Sequence, residues 1–459
     1  MTDAPLTKDV EIMLGSHKKA IVRMAIPMIV AMFASSINGL VDAAWISGLG
    51  PDALAAIGIL FPLFFIVVGV SSGISVGASS AIARYIGAGS KANAERTASV
   101  AFTLTIITGA VFSVIMLVVT KPLLMIIGGA DVIDLCMDYA NVMFVFAIAF
   151  FINALLSSIL RSEGSARRSM AIMITAAVLN LVLDPIFIYT FGWGMAGAAF
   201  ATAVALTLAS VPAVYWFFIR KDTYIRLRIG RPHFDKAITK DIFRVGLPAS
   251  VEFVAISVAV MLTNIILIGT AEGTDAVAIY TTGWRTLNII MIPCIGIGAA
   301  LVPIAAAAYG GRDNQKVRSA YMYSLKISLI MMFILAAALA AAAGLVSSLF
   351  SYSGDTAYLH YDMTLFIRIS CTFLPFIGFG ILSSSVFQAL GMGTRALVST
   401  AFRGFIIVPA AYAASFTGRL VDIWWATAVM EVIGPVAVLI WCLLTLRALT
   451  KGRFTYSEH

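Results

Sequence analysis

The chain is written as long apolar runs separated by short polar connections, and the runs recur from end to end. Twelve reach membrane-spanning length: residues 20–47, 54–84, 97–120, 136–160, 169–190, 195–219, 241–269, 276–308, 317–345, 359–389, 396–416 and 423–447. About 20 apolar residues in a helix cross a bilayer and satisfy their backbone polar groups internally, whereas a β-barrel would show short alternating segments. The pattern predicts an all-α integral membrane protein with twelve transmembrane helices. Residues 1–19 mix charges of both signs and read as a polar tail with a short interfacial helix, not as a cleavable signal.

The second half of the pattern restarts the first. Arg23-Met-Ala-Ile-Pro27 returns as Arg244-Val-Gly-Leu-Pro248, ARYIGAGSK as AAYGGRDNQK, LRSEGSARR as FQALGMGTR and VLDPIFIY as IIVPAAY, all at an offset of about 221–227 residues. Six spans is an even number, so the two halves run parallel and form two pseudo-symmetric six-helix bundles. The long basic connection at 220–240 is the natural boundary, giving a first lobe over 1–225 and a second over 226–459.

Inside this apolar pattern, LNLVLDPIFIY stands out. Asp184 lies mid-run with Asn180 four residues earlier on the same helical face. Pro185 lacks an N–H, so the Leu181 carbonyl loses its helical partner. An acid at membrane depth is costly, turns to protein or a wet cavity, and marks an ion or substrate path. Asn38 and Asp42 form a second i, i+4 pair in the first span, beyond Pro27, which is a candidate kink or hinge. The second half keeps Pro248 and Pro409 but has Val408 where the first has Asp184, and Leu390 where the first has Glu163. Packing makes the same demands on both halves, so the acids read as chemistry confined to one lobe. Glu163 itself, beside Arg161, Arg167 and Arg168, reads as part of a solvated loop. Of the remaining charges within spans, Arg403 is expected to pair with Glu431 and Arg285 with Glu252, with cationic-substrate contact the alternative role for Glu252.

Composition narrows the classes. The chain is 61% hydrophobic and 12% charged, with a net charge of +8. Its Lys and Arg gather in alternate connections, including Arg84, Lys91 and Arg96, and the dense set from Arg220 to Arg244 with Arg228, Arg231 and His233, while the intervening loops hold only Lys121 and Arg419. The positive-inside rule then puts both termini in the cytoplasm, and the basic loops against anionic headgroups and not nucleic acid. Cys136, Cys294, Cys371 and Cys442 are isolated, and His17, His233, His360 and His459 are scattered. Neither a metal centre, an ATP-binding loop nor an enzyme active site is expected. A transporter of the major facilitator type is disfavoured because AIARYIGAGSK lacks that class's charged glycine-rich loop.

The twelve-span repeat, RxxxP opening each half, GPDALAAIG after the first span, ILRSEG closing the fourth and NLVLDPIFIY in the fifth resemble the multidrug and toxic compound extrusion (MATE) transporters, most closely the DinF-like branch of bacteria and archaea. The resemblance covers roughly residues 15–450. It implies a V-shaped pair of bundles in the cell membrane and alternating access as a monomer. It implies efflux of amphipathic, often cationic compounds in exchange for H⁺ or Na⁺, with no further cofactor. It also implies a cation site at Asp42, Glu163, Asn180, Asp184 and Thr202, with Na⁺ ligation falling to Asp42, Asn180, Asp184 and Thr202. Asn38, Trp45, Phe61, Phe64 and Glu252 are the expected substrate contacts. The alternative function is a flippase for lipids or lipid-linked oligosaccharides, kept open by Arg285, Arg368 and Arg403.

Overall fold

A computed structural model describes residues 6–127, 130–227, 235–351 and 357–452. Arg228, Arg231, His233, Arg453 and His459 therefore lie outside the described residues. A short helix α1 (Lys8–Leu14) is followed by the six spans of the first half: α2 (His17–Ser47), α3 (Pro51–Gly87), α4 (Lys91–Ile127), the pair α5 (Ile133–Val145) and α6 (Ala147–Ser162), α7 (Ala166–Pro185) and α8 (Gly194–Val214). The second half repeats them as α9 (Lys236–Ile268), α10 (Thr274–Gly310), α11 (Asn314–Phe350), the pair α12 (His360–Cys371) and α13 (Leu374–Ala389), α14 (Gly393–Ser415) and α15 (Leu420–Thr450). Among the described residues ten helices are long and apolar enough to span, and the two bent pairs bring the total to twelve. Among the described residues there is no strand.

Both broken spans occupy the fourth position of their half, α5–α6 turning by 49° and α12–α13 by 54°. At the second break, Pro375 supplies no N–H to the carbonyl of Cys371. The first has no proline. There the Ser113 hydroxyl of α4 donates to the Phe144 carbonyl at 2.6 Å and competes for the acceptor of the next turn.

Three apolar cores define the overall shape. One lies at the end of the molecule that carries both termini and draws residues from both halves, among them Ile82 and Ile86 with Ile242, Ile304 and Phe387. Towards the other end the interior divides into a first-half core around Phe112, Phe144 and Phe151 and a second-half core around Phe366, Phe373 and Trp424. The bundles are thus joined at the terminal end and part towards the opposite one, a V. The seam is reciprocal: α3 runs along α9 and α2 along α10. Glycines set its closeness. Gly69 meets Phe253, Gly77 meets Ile242 and Gly246, and Gly87 packs on Ala307, so that a Cβ on Gly77 or Gly87 would run into a facing carbonyl.

One buried ion pair bolts the seam. Arg84 on α3 makes a bidentate bond to Asp241 on α9 at 2.7 and 2.6 Å, with the two side chains 10% and 5% exposed. Its other arm donates to Ser80 at 2.8 Å, and Ser80 donates to the Gln388 carbonyl of α13 at 2.6 Å. Removing one partner leaves a buried charge unpaired, a cost of about 3–5 kcal/mol. Asp241→Asn is therefore expected to open the joined end. Spin-label distances between α3 and α9 near that end should lengthen and broaden; an unchanged distribution would show that the pair does not hold the seam.

Candidate functional site

The first half gathers a connected set of amides, a hydroxyl and two carboxylates in its divided, outer part. Asn38 of α2 donates to Asn180 of α7 at 2.7 Å, and Asn180 donates in turn to Asp184 at 2.7 Å and to Thr202 of α8 at 3.2 Å. Thr202 also bonds back to the Ala198 carbonyl of its own helix at 3.1 Å. Asp42, one turn beyond Asn38, comes within hydrogen-bonding range of Asp184. With both carboxylates ionised neither supplies a hydrogen, and Asp42 Oδ1 and Asp184 Oδ2 have no donor. Asp184 and Asn180 are buried. Two like charges therefore face each other where solvent barely reaches, an arrangement that a proton or a small cation between them would relieve.

The local backbone explains how the acid is aimed. α7 runs unbroken to Pro185, where the Ile186 N–H bonds to the Leu183 carbonyl. A wide π turn over Ile186–Thr190 follows, in which the Phe191 N–H reaches back to Ile186 at 2.9 Å. Such widened turns recur at functional sites because they redirect side chains without ending the helix. Gly197 of α8 lies against the Phe187 backbone with no room for a Cβ, which brings Thr202 to the level of Asn180. Tyr189 caps the cluster from outside: its hydroxyl donates to the Trp45 carbonyl and its ring meets Trp45 edge-on.

The other expected site residues fall into separate places. Pro27 is buried within a continuous α2, close to where Ile29 packs on Gly296 of α10. Phe61 is exposed, whereas Phe64 packs edge-on against Phe150 inside the first half. Glu252, neighbour of the seam residue Phe253, accepts from Gln388 at 3.4 Å and not from Arg285, so the expected Glu252–Arg285 pair does not form. Arg403 and Glu431 do pair, through two bonds of 2.6 Å, with Trp284 stacked over the guanidinium. Tyr139 of α5 escaped the sequence reading. It is buried within electrostatic reach of both Asp42 and Asp184, and its only signal was a hydroxyl within an apolar run.

Glu163 is not with the cluster. It closes α6 at the terminal end, and the 20 residues of α7 separate it from Asp184 by about 30 Å. It is buried, not solvated, because the segment leading out of the first half folds over it: Thr223, Tyr224, Ile225 and Leu227 are buried, and the Ile225 N–H donates to Glu163 at 3.1 Å. From the other side α1 packs Val10 and Met13 inward, with Asp9 accepting from Ser165 at 2.9 Å. Burial pushes the Glu163 carboxyl up to about 7, against the opposing pull of the Ile225 amide, Ser165 and Arg168.

The MatE family model matches the chain twice, over residues 27–186 and 248–413, once in each half. The chain belongs to the MatE family. Among its relatives, the multidrug export protein MepA of Staphylococcus saprophyticus is 25% identical over 428 residues, covering 92% of both chains. A multidrug resistance MATE family transporter solved in an outward-facing conformation superposes with a TM-score of 0.94 at 35% identity, over 98% of this chain and 100% of the other. A MATE structure in a bent conformation gives 0.92 at 35% identity, over 97% and 99%. This MatE protein is accordingly a multi-span membrane protein of the multidrug efflux class, built as two six-helix halves.

The buried carboxyl beneath the connecting segment predicts a pH effect. A carboxyl raised on folding favours the docked segment in its neutral form, so docking is strongest below the ordinary carboxylate value and weakens as pH rises through about 7. Amide exchange at Tyr224 and Ile225, corrected for intrinsic rate, should lose protection across that interval. Glu163→Gln should flatten the profile; an equally steep profile in that variant would exclude the carboxyl as its source.

Proposed function

We propose that this MatE protein exports amphipathic compounds, cationic ones among them, by exchanging them for H⁺ or Na⁺ taken up at Asp42 and Asp184. The carrying observation is the pair of facing carboxylates whose free oxygens lack donors, set in one lobe of a V that is closed at a single end. In this reading the terminal end is cytoplasmic, both termini lie inside the cell membrane, and the V stands open to the exterior. A proton would sit between the two carboxylates. Na⁺ would be held by both carboxylates together with the Asn180 amide oxygen and the Thr202 hydroxyl, all hard oxygen donors.

Binding of the cation removes the like-charge repulsion and lets α2 settle against α7. Because Asn38 and Asn180 bond directly across these helices, a shift at the acids is felt along α2 as far as Pro27, the proposed hinge. Coupling then requires only that ion and drug prefer different states of the two lobes. Glu252, at the seam level with one oxygen lacking a donor, is the second-half group available to a cationic substrate. Of the three cations that keep the flippase alternative open, only Arg285 is left, among the described residues, without an ion-pair partner or an apolar setting. Arg403 is neutralised by Glu431, and Arg368 lines an apolar groove between α11 and the α12–α13 break. The protein works without a bound cofactor and as a monomer in this account, with surrounding lipids and small amphiphiles as its partners.

The test is efflux of a fluorescent amphipathic cation from proteoliposomes under a pH or Na⁺ gradient imposed separately. Asp42→Asn and Asp184→Asn should each cut gradient-driven transport at least about tenfold, the cost of losing one charged contact. Wild-type rates in either variant would remove the acids from the coupling step, and a requirement for a lipid-linked sugar would favour the flippase.

A further inference from the structure

The most apolar stretch of α10 is 78% buried, against 11% for α9, so α10 is the central helix of the second half. Its exposed residues are few, and all of them are polar: Thr274, Thr281, Arg285 and Asn288. At 100° per residue these four fall within about 60° of one another, a single stripe along the helix. Helices facing lipid in this protein look different: α11 exposes Leu329, Ile330, Phe333 and Ile334. That enclosed stretch begins beyond Asn288; over residues 274–288 the helix is only partly buried, yet every residue it exposes there is polar, so this face meets water and not lipid.

The direction of the stripe is fixed by the same helix. Residues of α10 that touch the first half are Gly296, against Ile29, and Ala307 and Gly310, against Gly87 and Arg84. Arg285, Gly296 and Ala307 are spaced by eleven residues, three helical turns, and so lie in line. The stripe therefore continues the seam into the part of the molecule where the lobes have separated. Arg285 sits eleven residues from Thr274, about 16 Å along the helix and near mid-membrane. Among the described residues it makes no ion pair, and at that depth an unpaired guanidinium seeks an anion. On the opposite wall, Leu40 continues the face of α2 that carries Ile29, with Ile37 about 60° to its side, and both are exposed.

We propose that the cleft binds amphiphiles that carry an anionic group, a carboxylate, sulfonate or phosphate ester, with Arg285 as its anchor, Thr281 and Asn288 as flanking hydrogen-bonding groups, and the apolar body against Ile37 and Leu40. The cation site in the first half and the anion anchor in the second then serve different ligands across one cleft. Zwitterionic drugs are accommodated as well as cations. The proposal deepens the efflux reading, and for transport it rests on it; binding stands separately.

Full-length protein in lipid nanodiscs is titrated with a naphthalenesulfonate amphiphile and with its trimethylammonium counterpart. Wild type should bind the sulfonate saturably. Arg285→Gln should weaken the sulfonate about tenfold or more without weakening the trimethylammonium probe, Arg285→Lys should retain most of the affinity, and Arg285→Glu should reverse the preference. Unchanged sulfonate affinity in Arg285→Gln, or no saturable sulfonate binding to wild type, overturns the anion anchor. Gradient-driven efflux of the sulfonate separates the two readings. If Arg285-dependent binding persists while no gradient drives transport, the anchor stands and the efflux reading falls.

Discussion

Two carboxylates brought face to face, Asp184 fully buried and Asp42 partly so, are the constraint on which the rest of this molecule depends. Asp42 and Asp184 reach one another only because α2 and α7 are tied by the Asn38–Asn180–Asp184 chain of hydrogen bonds. The π turn after Pro185 then fixes the end of α7. Left ionised, the pair opposes the packing that creates it. In the proposed exchange, that opposition is what an incoming cation relieves.

The second half solves the same architectural problem with opposite charges. Arg403, just over one turn before Val408, which takes the place of Asp184 in the repeat, is neutralised by Glu431 through two short bonds. Unlike charges hold themselves together and need no third party; like charges do. In the proposed mechanism this asymmetry is what assigns the ion to the first lobe. The seam supplies the third requirement, a firm but breakable closure. Close glycine contacts and the Arg84–Asp241 bond hold the terminal end, while the outer end has two independent cores and no shared one.

Much of this was legible in the sequence because membrane burial writes strong patterns. Twelve apolar runs, the repeat offset and the loss of Asn and Asp from the second copy all concern residues close in sequence or in register. What escaped was long-range. Arg84 read as one more cation at a span end, since nothing local announces Asp241 as its partner. Glu163 looked solvated because its sequence neighbours are charged, whereas the segment that buries it arrives sixty residues later. The bend at Phe146 has no proline to signal it and depends on a hydroxyl from α4. Arg285 and Glu252, similar in depth by sequence, turned out to face different surroundings, which only the helix rotations decide.

The most direct test of the central claim is infrared difference spectroscopy of the purified protein during a pH titration, reading the carboxylic-acid C=O stretch. In a Glu163→Gln background, if Asp42 and Asp184 share one cation, a protonated band from the pair should appear on acidification, change its midpoint or frequency in Asp42→Asn and in Asp184→Asn alike, and shift its midpoint if Na⁺ competes for the same oxygens. A band that survives unchanged in both single variants would contradict the account.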